Sequence, residues 1–305
     1  MTAGTPRHDA AVARGQDGIA AWTEALLADP RFDAVMVQAI DDMLSCYRDR
    51  GWVARIFADR GHTMGGAAAI YLHYVAHHPG DGPGLTAGRF QSLCSAWDFC
   101  SQGRAAALLS LMRLARFLEA GEPAGDRRVR LLVPTRKLFE FQWQRWSCFI
   151  PGAALALGVP ARELVQRMEE AQEPVAVIVR RGGRRFLEGF RLLRHTPELA
   201  PMAERDGGLQ VLSMVYASVT GGDPAHRMPI SVSGIAGSLR ISRAQVRKLL
   251  QVATEDELLI RTGNADALMP SARLTVALRR FYATLFVFLG DATFDMVQDH
   301  MVKRA

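Results

Sequence analysis

Cysteine is scarce in this chain, and the four present, Cys46, Cys94, Cys100 and Cys148, never form a C-x-x-C pair. That pattern argues against structural zinc and against a disulfide framework, so they read as small, reduced residues. Cys100 alone has a second reading as a redox-sensing thiol, because it stands just before a helix start. No run of about 18 apolar residues is present to span a bilayer. The opening "MTAGTPRHDAAVARGQDG" lacks the apolar core of a secretion signal. A cytoplasmic protein with no membrane partner is the expectation. There is also no phosphate-binding glycine loop, no nucleophile elbow and no paired-carboxylate constellation, so no enzyme activity and no cofactor are expected. His73 and His77 stand at i, i+4 with His62 and His78 close by, but "YLHYVAHHP" has no glutamate beside them. Helix-end histidines are therefore expected there, and no metal.

What is present is a chain of 305 residues, 49% hydrophobic and 22% charged, long enough for two domains that each bury a core. The net charge is +6, and it is unevenly spread. Residues 101–145, 240–280 and 176–194 together hold 23 Arg and Lys against nine Asp and Glu, leaving 14 basic and 22 acidic residues elsewhere. Clustered positive charge points to a polyanion as partner; the alternative is a set of solvated helix faces.

Apolar residues at three- and four-residue spacing predict helices in "GIAAWTEALLAD", "RFDAVMVQAIDDMLSCYRDR" and "GGAAAIYLHYVAHHP". Next come a helix after Thr86, and a second, "SQGRAAALLSLMRLARFLEAG", with Ser101 as N-cap and Gly121 as its stop. "EPAGDRR" and the strand "VRLLVP" follow. Helix, turn, basic helix and strand in this order predict a winged helix-turn-helix. The order recurs. "GGAAAIYLHYVA" at 65 matches "GGLQVLSMVYAS" at 207, "SQGRAAALL" at 101 matches "SRAQVRKLL" at 242, and "VPTRKLFEFQWQRW" at 133 matches "MPSARLTVALRRFY" at 269. The offsets are 142, 141 and 136, so two tandem copies of one module are expected. The expected fold is mainly α with small β-wings. Residues 1–150 hold the N-terminal helices and first module, 151–205 a connecting segment, and 206–305 the second module and a C-terminal helix.

In each copy the second helix of the turn would enter the major groove by its N-terminal residues. These are Ser101, Gln102 and Arg104 in the first copy, and Ser242, Arg243, Gln245, Arg247 and Lys248 in the second. Arginine can donate two hydrogen bonds to guanine and glutamine can read adenine. The wing would lay Arg127, Arg128 and Arg130 against phosphates, releasing counterions.

"FLEAGEPAGDRRVRLLVPTRKL" resembles the wing of the multiple-antibiotic-resistance regulator (MarR) family, where Asp-Arg-Arg precedes a strand and a Thr-initiated helix. The matching positions are Asp126, Arg127, Arg128 and Thr135. The resemblance implies that Asp126 has a structural role, orienting an arginine that contacts DNA. It covers roughly residues 65–146 and 207–282, and in the second copy it is only architectural, since "LIRTGNADALMPSARL" offers Arg261 and Asp266 without Asp-Arg-Arg. Members of that family carry one module and pair as homodimers. Two modules in one chain therefore imply an intrachain pseudo-dimer, its recognition helices ~34–36 Å apart on successive grooves. The flanking "RFDAVMVQAIDDMLSCYR" and "ATLFVFLGDATFDMVQDHMV" would then pack together, or alternatively join two chains.

Between the copies, "PARELVQRMEEAQ" predicts a helix and "PVAVIV" a strand. "RRGGRRFLEGFRLLRH" is either the return of a hairpin around Gly182 and Gly183 or a basic helix, its arginines on phosphate or solvated. Phe139, Phe141, Trp143, Trp146 and Phe149 line either a core or a pocket for a small-molecule effector. The sequence reads as a sequence-specific transcriptional regulator binding double-stranded DNA. The alternative is a tandem winged-helix scaffold of chromosome organisation or replication, which would present acidic or apolar recognition helices.

Overall fold

Several helices in this chain start where a hydroxyl can meet their unsatisfied N–H groups. Ser101 Oγ accepts the Arg104 N–H at 3.4 Å, Ser231 Oγ that of Gly234 at 2.9 Å, and Ser242 Oγ that of Gln245 at 3.0 Å. Each satisfies one of the orphan donors of a first turn, a contribution of roughly 0.5–2 kcal/mol. The computed structural model describes residues 16–48, 60–75, 84–122, 130–171, 173–220, 231–262 and 267–304. It is mainly helical, with two small antiparallel two-stranded sheets among these residues.

The elements are α1 (Gln16–Leu27), α2 (Phe32–Arg48), α3 (Arg60–Val75), α4 (Ala87–Ala96), α5 (Gln102–Leu114), β1 (Leu118–Ala120), β2 (Leu132–Pro134), α6 (Arg136–Trp146), α7 (Ile150–Leu157), α8 (Ala161–Glu170) and α9 (Pro174–Leu187). After them come α10 (Ala200–Ala203), α11 (Gly208–Thr220), α12 (Val232–Leu239), α13 (Arg243–Glu255), β3 (Leu259–Thr262), β4 (Ala267–Pro270) and α14 (Ala272–Arg304). Short 3-10 turns precede α7 and α10. No helix among the described residues is long and apolar enough to cross a membrane.

The chain forms two compact units, each built from separated segments. One comprises Met1–Gly51, Ser147–Arg167 and Leu192–Ala305. Its core is α14 against α7 and α1, and it depends on small residues for close approach. A Cβ on Gly152 would stand 2.4 Å from the Phe286 ring, inside contact distance. Trp22 Nε1 donates to the Ala156 carbonyl at 2.9 Å, tying α1 to α7. Phe32 meets Phe286 edge-on at 6.1 Å, and Arg279 Nε donates to Asp33 at 2.7 Å, so α2 is packed on α14. The flanking helices that the sequence paired are thus in contact.

The other unit comprises Trp52–Trp146 and Met168–Arg191. Trp97 sits at its centre, 5.0 Å from Tyr71, 5.5 Å from Phe99 and stacked on Phe186 at 5.3 Å. Burial of such rings dominates a core of this size, and truncating one costs about 3–5 kcal/mol.

Both units contain helix, helix, helix, hairpin, helix in that order. The backbone repeats in detail. Asp98 and Arg240 carry positive φ (59° and 53°) in the turn before α5 and before α13. Arg116 and Glu257 do so after those helices, both at 57°. Phe117 N–H reaches the Met112 carbonyl at 2.8 Å, and Leu258 N–H reaches Ala253 at 2.8 Å. These bonds stop each helix in a left-handed turn and launch a strand. Leu118 pairs with Pro134, and Leu259 with Pro270.

Two sequence expectations are corrected. The helix opening at Ser101 ends at Leu114, not near Gly121. Burial of Phe117, 0% exposed, pulls the chain out of the helix early, and Gly121 instead extends the hairpin by donating to the Leu131 carbonyl at 3.0 Å. "PVAVIV" is not a strand but the start of α9, and of the two readings of the basic segment after it the helix holds, with Gly182 and Gly183 inside α9. Val175, Ala176, Ile178, Val179, Gly182, Gly183 and Phe186 form its buried face, so tertiary burial at helical spacing overrides the β-branched run.

Candidate nucleic-acid interface

Helices α5 and α13 hold their inner faces by the same spacing. Ala105, Leu108, Leu109 and Met112 are buried in α5, and Val246, Leu249, Leu250 and Ala253 in α13. Their outer faces differ. On α13, Ser242, Arg243, Arg247 and Lys248 are exposed, with Arg243 and Arg247 one turn apart on one side. On α5, Ser101, Gln102 and Arg104 are exposed in the first turn, but further along Leu111 is 37% and Leu114 75% exposed.

Neither helix has an acidic residue in its first turn. A helix N-terminus carries partial positive charge, so arginine there is unfavourable by roughly 0.3–1 kcal/mol and an anion favourable by as much. The start of α13, with Arg240 just before it and Arg243 at its first position, is therefore a concentration of positive potential suited to phosphate. The capping serines have a prior task. Ser101 and Ser242 spend an acceptor lone pair on their own helix.

Gln245 is displaced from the expected base-reading set. It is half-buried, and its Nε2 donates to the Asp206 carbonyl at 2.8 Å. That bond ties α13 to the turn before α11. In the hairpin of the Trp52–Trp146 segment, Arg130 is exposed at the foot of β2. Asp126, Arg127 and Arg128 lie outside the described residues, as do His77 and His78. Comparison of the chain with protein-family models, with characterised proteins and with solved structures finds no match.

Part of the clustered charge is structural, which composition could not show. Lys137 Nζ donates to the Ala115 carbonyl at 2.8 Å and stands over the Phe117 ring, closing the C-terminus of α5. Arg273 reaches the equivalent carbonyl of Asp256 at 3.2 Å, after α13. Arg279 and Arg280 bind Asp33 and Glu24, both at 2.7 Å, and Arg136 binds Glu140 at 2.7 Å. In α13 itself the outward cations are kept for the surface.

Three of the aromatic residues of and beside α6 each pack on a different ring. Phe141 packs on Phe117 at 5.3 Å, Phe139 on Tyr74 at 6.2 Å, and Phe149 on Tyr282 at 6.3 Å. Cys94 is fully buried, and burial, with Cys100 beside it, pushes its thiol up to about 12. Cys100 is half-buried. Among the described residues, no group of three or more His, Cys, Asp or Glu side chains is placed to hold a metal ion.

Proposed function

We propose that the protein is a sequence-specific double-stranded DNA-binding transcriptional regulator, with two winged helix-turn-helix modules of the MarR-like kind in one chain. The observation that carries this reading is the outer face of α13: Arg243, Arg247 and Lys248 are all exposed at and after a serine-capped N-terminus with no acid in its first turn. Arginine forks at that position suit guanine edges in a major groove, and a lysine beside them suits phosphate. The recurring three-helix-and-hairpin order supports the module reading, since a groove-entering helix followed by a strand pair is how winged modules present themselves. In this reading one chain covers two half-sites as a pseudo-dimer.

A second reading is favoured by α5, whose exposed Leu111 and Leu114 are unlike a groove-reading face. A tandem-module scaffold that docks a protein on α5 would use them. Fluorescence anisotropy with labelled genomic fragments, at two salt concentrations, separates the readings. A regulator binds a subset of fragments far more tightly than random duplex, and loses affinity steeply with salt. Equal, weak binding to every fragment would favour the scaffold.

A further inference from the structure

The basic run within 176–194 has no part in the site described above. Folding places four of its six arginines on α9, and the helix separates its residues by task. The two glycines face inward: a Cβ on Gly183 would lie 2.3 Å from Tyr71 Cδ2, so a side chain there would push α9 off α3. Phe186 inserts between Trp97 (5.3 Å) and Phe99 (5.1 Å). The apolar side of the helix is thus fully used within its own unit. Outward lie Arg180 and Arg184, both exposed and one turn apart, flanked by half-buried Arg181 and Arg185. Glu188, on Arg185 at 3.3 Å, is the sole acid among residues 174–191.

This face is held at a fixed place. Arg191 Nη1 donates to the Phe186 and Phe190 carbonyls at 2.8 and 2.7 Å, and its Nη2 donates to the Ala96 carbonyl at 2.7 Å. Ala96 ends α4, and Phe99 lies two residues before the cap of α5. One guanidinium and one aromatic cluster therefore fasten the C-terminal end of α9 to the α4–α5 turn.

We infer that the outer face of α9 is a second, sequence-independent contact for the phosphate backbone of duplex DNA, supplied by Arg180 and Arg184 on a helix whose C-terminal end is fastened to the α4–α5 turn. This rests on the regulator reading. The contact adds affinity to the unit whose α5 offers few base-reading groups, Gln102 and Arg104 alone carrying long polar side chains in its first turn. Phosphate contacts position a protein on the duplex and carry no sequence information, which suits arginines on a helix with no glutamine or asparagine between them. An anionic membrane is the poorer match. A helix lying on lipid needs a free apolar face, and that of α9 is buried against Tyr71, Trp97 and Phe99, leaving Leu187 as its one exposed large apolar residue.

The test compares the full chain with its Arg180→Ala/Arg184→Ala and Arg180→Lys/Arg184→Lys variants, all checked for unchanged thermal melting. Affinity for a preferred and a random duplex is measured across salt. The alanine pair should lose affinity by the same factor on both duplexes and flatten the log–log salt slope by about 1.8, roughly 0.9 per contact. The lysine pair should keep most of the slope. If the wild type binds DNA and the alanine pair keeps the full slope, the α9 contact is overturned and the regulator reading stands. If the wild type binds no duplex but sediments with phosphatidylserine vesicles, both fall.

Discussion

At the scale of single residues, two neighbours in α13 should behave in opposite ways. Arg243 is exposed at the first helical position, so Arg243→Ala should leave folding intact, cost ~1–3 kcal/mol against the preferred site and relax preference at one base pair. Equal loss on every sequence would reject direct readout. Gln245 already gives its amide to Asp206, so Gln245→Ala should lower stability by about 0.5–1.5 kcal/mol and leave base preference unchanged. Denaturant melts and binding-site selection on the two variants read both effects. The pair also marks where residue-type reasoning stops. Both are long polar side chains near one helix start, and only the position of the Asp206 carbonyl, 39 residues away, distinguishes them.

At the scale of elements, the two helix stops are a place where the sequence did not choose the easiest residue. Arg116 and Glu257 both take a left-handed φ of 57°, a region where a side chain costs roughly 1–2 kcal/mol and glycine almost nothing. Arg116→Gly and Glu257→Gly should therefore each be stabilising or neutral, by up to about 1 kcal/mol after the entropy that glycine adds to the unfolded chain. Losing more than that at either site would show that the side chain, not the backbone, matters there. The hairpin after α5 supports a second expectation, drawn from sequence because Arg127 and Arg128 lie outside the described residues. Their double change to alanine should weaken binding to specific and random duplexes alike and flatten the salt slope by about 1.8. Stability should barely move. An unchanged slope would leave the wing without a DNA role and strengthen the scaffold reading.

At the scale of the whole molecule, the shifted titrations of His195 and Cys94 make stability depend on pH. Burial, reinforced by Arg280, lowers the His195 pKa below the ordinary histidine value. The unfolded chain then takes up a proton near pH 6.5 that the folded one resists, so this contribution is present above that pH and is lost as pH falls below it. Cys94, pushed up to about 12, works at the other end: the unfolded thiol ionises first, so stability falls as pH rises through the interval up to that value. Urea midpoints across pH should show both limbs, with His195→Gln flattening the acid one and Cys94→Ala the alkaline one. If neither variant changes its limb, other groups set those limits.

Much of this protein was written locally. Ser101 and Ser242 as caps, the inner faces of α5 and α13, the exposed Arg243, Arg247 and Lys248 and the repeated element order all follow from rules that act within one or two helical turns, so sequence alone determined them. The tertiary structure decided what depends on distant neighbours. Val175 to Phe186 became a helix because Tyr71 and Trp97 offered a surface that only helical spacing could bury. Lys137, Arg273, Arg279 and Arg280 are tied to their own chain at the surface because carbonyls and carboxylates far along it came within reach. A local pattern cannot say which cations will find such partners. Burial and long-range pairing set that, and they exist only once the chain has folded.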